Sequence, residues 1–146
     1  MLKDSTTHSV EKVMMAHGSG GRKTASARAF IKNRESDIFN IKLPCGKIVT
    51  PVEFSHNPFH EVTIFAPLKA ANLLNKLEIF CTVARGGITG QVESIRNAIS
   101  KAIVKLFPDL HSQFSSLGFL SRDPRKKEAK KIGYHSARKP HQRAKR

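Results

Sequence analysis

Residues 77–107 read LEIFCTVARGGITGQVESIRNAISKAIVKLF, and two hydrophobic periods meet within them. Over 77–84 the apolar positions alternate. Leu77, Ile79, Cys81 and Val83 fall on one side, Phe80 and Thr82 on the other. That is the period of a strand with one buried face. From Val92 the period changes. Val92, Ile95, Ala98, Ile99, Ala102, Ile103 and Leu106 recur at steps of three, three, one, three, one and three. This is a continuous helical stripe, with Arg96, Lys101 and Lys105 off it. Pro108 ends the helix, and a glycine loop, RGGITG (85–90), joins it to the strand.

Working outward, TASARAFIK (24–32) alternates small and apolar residues and predicts another strand. Residues 36–51 predict two short strands around a turn at Pro44–Gly46. Asn57–Pro58 interrupts 54–61, which reads as a loop, and VTIF (62–65) as a short strand. Residues 66–76 predict a helix with Pro67 in its first turn, where a missing N–H costs little. In 109–118 a short helix is expected, capped by Asp109 and stopped by Gly118. No periodic apolar pattern follows Phe119–Leu120. The expected class is α+β, a small sandwich of a sheet covered by helices on one face. Residues 1–17 read as a flexible arm, 18–120 as the globular part and 121–146 as an extended tail.

Charge singles out that tail. The chain of 146 residues has 26 Lys+Arg and 11 Asp+Glu, a formal net charge of +15. Residues 121–146 hold 11 of the basic residues and 2 acids, a net of +9. A segment this cationic repels itself unless it meets a polyanion. Nucleic acid is the default, because each basic group placed on a phosphate releases a condensed counterion. The two cysteines, Cys45 and Cys81, stand in apolar surroundings without a CxxC partner and read as free thiols of a reducing compartment. No apolar run approaches the ~20 residues needed to cross a bilayer, so no membrane partner is expected. The opening residues lack a signal-peptide apolar stretch and carry Asp4 and Glu11 with no arginine before Arg22.

Three motifs bear on chemistry. GSGGRKTASARA (18–29) places Arg22, Lys23 and Arg28 after glycines that can offer backbone N–H groups to phosphates. It lacks GK[ST] and precedes a strand, so it is neither a P-loop nor a dinucleotide fingerprint, and a flexible lead into a strand is the alternative. RGGITGQ (85–91), with Arg85, Gly86 and Gly87, lies between a strand and a helix N-terminus, a geometry suited to anions. It equally suits a tight turn needing positive φ. His56 and His60 are four apart, but Pro58 between them prevents a shared helical face, and only Glu61 is near, so no metal site is expected. Nothing pairs a nucleophile with a base, and no cofactor is expected.

GSGGRKTASARAFIK (18–32), LEIFCTVARGGITGQVESIRNAISKAIV (77–104) and GFLSRDPRKKEAKKIGYHSARKPHQRAKR (118–146) together resemble the family of the ninth protein of the small ribosomal subunit, in its bacterial form. The resemblance runs from about Gly18 to Arg146. The tail is its most specific part, through Arg122–Asp123, Arg125, Glu128, Lys130–Lys131, Gly133, Ala137–Arg138 and Lys145–Arg146. The chain departs from the family in three places. Gly21 stands where an arginine is usual, Arg85 where a glycine is usual, and Arg143–Ala144 where an aromatic and a small polar residue are usual.

The resemblance implies a left-handed βαβ sandwich like the second domain of the fifth protein of the same subunit, and no enzymatic activity. It implies binding to rRNA in the subunit head beside other head proteins, as a ribosome-bound, cytoplasmic component of bacterial type, with no homo-oligomer. The tail would thread rRNA, fold on binding it, and bring its end to P-site tRNA. Carried onto this sequence, the expected rRNA contacts are Arg22, Lys23, Arg28, Arg85, Gly86, Gly87, Arg122, Arg125, Lys126, Lys127, Lys130, Lys131, Arg138 and Lys139. The expected tRNA contacts are Arg143, Lys145 and Arg146. Two other classes are open to the residues alone: an enzyme of the same fold, which needs an ATP loop or metal-binding acids, and a free-standing basic binder of RNA and DNA.

Overall fold

The computed structural model describes residues 14–34, 36–55 and 57–142. A five-stranded sheet has β1 (Met15–Arg22), β2 (Ala25–Lys32), β3 (Phe39–Lys42), β4 (Ile48–Val49) and β5 (Glu78–Ala84), in the order β1-β2-β5-β3-β4. Neighbours are antiparallel except β3 and β5, which run parallel. Four helices accompany it: α1 (Pro51–Ser55), α2 (Pro58–Ala70), α3 (Ile88–Leu106) and α4 (His111–Ser116), the last entered through a 3-10 turn at Pro108–Leu110.

The two elements of 77–107 have the expected sides. Ile79, Cys81 and Val83 of β5 are buried, while Phe80 and Thr82 look away from the core. Ala25, Ala27, Ala29 and Ile31 of β2 are buried in alternation with Ser26, Arg28 and Phe30. The apolar stripe of α3, from Val92 to Leu106, lies on this buried face. Ile31, Ile41, Ile64, Ile95, Ile99, Ile103 and Phe114 are among the fully buried side chains at the centre of a single core. Phe114 of α4 meets Phe119 edge to face at 5.8 Å, which seals the core where the chain leaves it.

Two expectations change. The loop expected over 54–61 and the strand over 62–65 are largely helix: Phe54 and Ser55 end α1, and α2 starts at Pro58 and runs through the rest. Asn57 is its N-cap and accepts from the Phe59 amide, and Pro58 fills the first helical position, where proline is preorganised. The pair starts a helix instead of breaking one. Ile64, Pro67 and Leu68, three and four apart, face the core, so Pro67 sits inside the helix and not at its start.

The second change concerns GSGG. These residues belong to strand β1, which begins at Met15, so residues 15–17 are sheet and not part of an arm. Residues 1–13 lie outside the described residues. Glycine is a poor strand former, but α3 crosses β1 closely here. A Cβ on Gly18 would lie 2.7 Å from the Ala102 amide nitrogen, and one on Gly20 2.7 Å from that of Ala98. The carbonyls of Ala98 and Ser94 are nearer still. The glycines admit the helix backbone to the strand.

Candidate nucleic-acid interface

One end of the sheet gathers two of the sequence motifs. The β1–β2 turn at Lys23–Thr24 and Gly86–Gly87 of the β5–α3 loop line one cleft with the first turn of α3. A neighbouring cleft has Lys23, Arg85, Lys101 and Arg122 among its lining residues. Four basic side chains from four separate stretches of sequence therefore converge. Gly87 caps α3 in an extended conformation with no side-chain hydrogen bond, and the side chain of Gln91 is engaged with the Arg85 carbonyl at 2.9 Å. The first amides of α3 are thus left for an outside acceptor, at the positive end of the helix dipole.

The backbone of the loop is costly. Arg85 (φ 62°) and Gly86 (φ 68°) are both left-handed. At Gly86 a Cβ would lie 2.7 Å from that of Ala25, so only glycine fits. Arg85 has no such freedom and holds a strained conformation at a cost of roughly 1 kcal/mol, with its side chain exposed.

Arg22, another of the expected rRNA contacts, has partners within the protein. It points to the helix side of β1 and is 13% exposed. Its Nε donates to the Glu93 carboxylate on α3, and its Nη1 lies 3.0 Å from Asp123 and 3.0 Å from the Arg125 carbonyl. The guanidinium is held inside the protein and clamps the root of the tail to the body. Asn97 of α3 reinforces it: its Nδ2 reaches the carbonyls of Phe119, Leu120 and Ser121 at 2.8–3.3 Å. Glu93 and Asn97 escaped the sequence reading because their partners lie 22 to 71 residues away. Glu93 is the only acid in α3, and that was the available signal.

Beyond the root, Arg122, Lys126, Lys127, Lys130, Lys131 and Lys139 are exposed. Arg125 is exposed but grips Asp123 through two nitrogens, the closer at 2.7 Å. Hydrogen bonds from Arg125, with the added charge of Arg22, hold the Asp123 carboxyl far below the usual carboxylate range. Arg138 pairs with Glu128 and lowers that carboxyl too. A small loop closes beyond, with Tyr134 bridging to Pro140 and the His135 amide donating to the Lys139 carbonyl at 2.8 Å. Both acids of the tail are thus spent on arginines. Arg143, Lys145 and Arg146 lie outside the described residues.

Arg28 stands apart from this cluster, on the face of the sheet turned away from the helices. His60 lies on α2, and His56 is outside the described residues; among those described, no three His, Cys, Asp or Glu side chains come close enough to hold a metal ion. The surface is therefore cationic, built from strained or uncapped backbone and from a basic segment rooted beside it. Residues 20–146 match the family described as Ribosomal protein S9/S16. With that match over most of its length, the chain belongs to the Ribosomal protein S9/S16 family, structural constituents of the small ribosomal subunit.

Proposed function

We propose that the chain holds rRNA in the head of the small subunit and supports P-site tRNA with the end of its tail, beside neighbouring head proteins. The observation that carries this reading is the convergence of Lys23, Arg85 and Arg122 on one cleft, with Lys23 also lining the neighbouring cleft at the uncapped start of α3. Phosphates would sit there, with Gly86 and Gly87 allowing the RNA backbone close approach. Lys126, Lys127, Lys130, Lys131 and Lys139 would follow the strand outward, and Arg125 and Arg138 would join on trading their carboxylates for phosphates. Arg22 has the role of clamp. Arg143, Lys145 and Arg146 would reach the tRNA. The body would share the left-handed βαβ arrangement of the fifth protein's second domain.

Filter binding of the full chain to a head fragment of small-subunit rRNA, over a range of salt, tests the body. Lys23→Ala with Arg85→Ala removes two phosphate contacts and should shallow the log–log salt slope by roughly 1.5–2. An unchanged slope refutes the cluster. Deleting residues 143–146 should leave rRNA binding intact and loosen P-site tRNA on reconstituted subunits; unchanged tRNA retention refutes that role.

A further inference from the structure

The sheet has a second face that the helices leave uncovered. On it the register sets Ser19, Arg28, Thr82 and Lys42 side by side across four strands. The next row is His17, Phe30, Phe80 and Asn40. Phe30 is 42% exposed, although alternation could have placed a polar residue there at no cost to the core. His17 stacks loosely against it, at 6.5 Å between ring centres. Phe80 lies directly across from Phe30 on β5. Charge is one-sided. Glu78 is the only acid that these strands carry on the face, and Lys32 neutralises it at 3.5 Å. Arg28 and Lys42 form no ion pair among the described residues.

We infer that this open face is a platform for an unpaired RNA segment, with bases stacked on Phe30, Phe80 and His17 and phosphates on Arg28 and Lys42. Every base offers a π-face, so aromatic rings on a flat sheet take single strands without needing a paired groove. The positive charge flanking the rings complements a phosphodiester backbone, while hydroxyls from Ser19 and Thr82 suit a ribose 2′-OH. A protein partner would bring its own acids or apolar side chains; the row beside the rings carries Arg28 and Lys42, and these strands carry no unpaired acid on this face, which favours RNA. The inference rests on the chain being an RNA binder, and it adds a surface on the opposite side of the sheet from the tail's root.

The test is fluorescence anisotropy of the full chain with a labelled unstructured 12-nucleotide RNA, and separately with a paired hairpin. Phe30→Ala should weaken the single strand about five- to a hundredfold with its salt slope unchanged, and barely affect the hairpin. Phe30→Tyr should restore binding. Wild-type chain cross-linked to 4-thiouridine RNA should yield adducts on the β2 and β5 peptides, a readout independent of how the variants fold. If Phe30→Ala and the cross-link map leave the sheet face silent while Lys126→Ala with Lys127→Ala weakens both RNAs, the platform is wrong and the RNA-binding reading stands. If none of the variants alters RNA affinity, both fail. If Phe30→Ala spares RNA but blocks joining of a head protein during subunit reconstitution, the face belongs to protein and the inference is overturned.

Discussion

Gly20→Ala is the sharpest probe of how this body is assembled. Without its neighbours, the substitution would help: alanine in a strand is favoured over glycine by roughly 0.5–1 kcal/mol. The structure reverses the sign. The new Cβ would lie 2.7 Å from the Ala98 nitrogen and closer to the Ser94 carbonyl, both backbone atoms in the middle of α3. No rotamer relieves such a contact: clearing the Ala98 nitrogen to an ordinary 3.4 Å takes a helix shift of about 0.7 Å, and clearing the Ser94 carbonyl takes more. Ile95, Ala98, Ile99 and Ala102 move with it, all fully buried. Overpacking of a rigid core costs about 1–3 kcal/mol, and the upper end applies here. We expect a net loss of about 2–3 kcal/mol, which lowers Tm by roughly 10–20 °C for a body of this size. Far-UV circular dichroism against temperature, with urea titration alongside, measures it. Gly21→Ala is the control, because its nearest neighbour is the flexible Arg122 side chain at 3.4 Å; it should stay within about 1 kcal/mol of the parent. A Gly20→Ala protein as stable as the parent would refute the close crossing of β1 and α3.

Three other predictions concern the interface and the thiols. Arg85→Gly should raise Tm, because it relieves a left-handed arginine by about 1 kcal/mol, yet weaken rRNA binding through the lost charge; a fall in Tm would overturn the strain at this loop. Cys45 is exposed and Cys81 fully buried, with burial pushing the Cys81 thiol far up, so a thiol-labelling reagent should take one equivalent per native chain and two in denaturant; two fast equivalents without denaturant would contradict the core. The depressed Asp123 carboxyl contributes fully above its unfolded pKa of about 3.9 and loses that contribution only as pH falls through the lower folded value. Hydrogen-exchange protection of the Arg125 amide, which donates to Asp123 at 2.9 Å, should therefore hold from neutrality to about pH 4 and fade below; a loss beginning near pH 6 refutes the clamp.

The sequence was most legible where one face of an element is apolar over several repeats. The alternation of β5 and the stripe of α3 both carry that signal, and both stand in the structure. It was least legible where local signals had two meanings. Asn57–Pro58 is a breaker when read as a dipeptide and a cap with a first-turn proline when read with Ile64 and Leu68 downstream. GSGG looks like a loop because its reason for being glycine, the backbone of α3, is some 75 residues away in sequence. Lys23, Arg85 and Arg122 were visible one by one as basic residues, but their convergence needed the strand order. The partners of Arg22 within the chain were hidden for the same reason. A cation next to glycines suggests an anion, and its actual carboxylates come from a helix and a tail that sequence distance conceals.

The clamp at Arg22, Asp123 and Asn97 also fixes where the tail begins. A tether with a loose origin wanders as a whole, and its tip must be found by chance. Here the origin and first heading are set by the body. The 17 residues from Lys126 to Gln142 then start from a known point and at full extension reach no more than roughly 60 Å from it. The length of the segment thus acts as a ruler for how far from the body each of its described cations can lie.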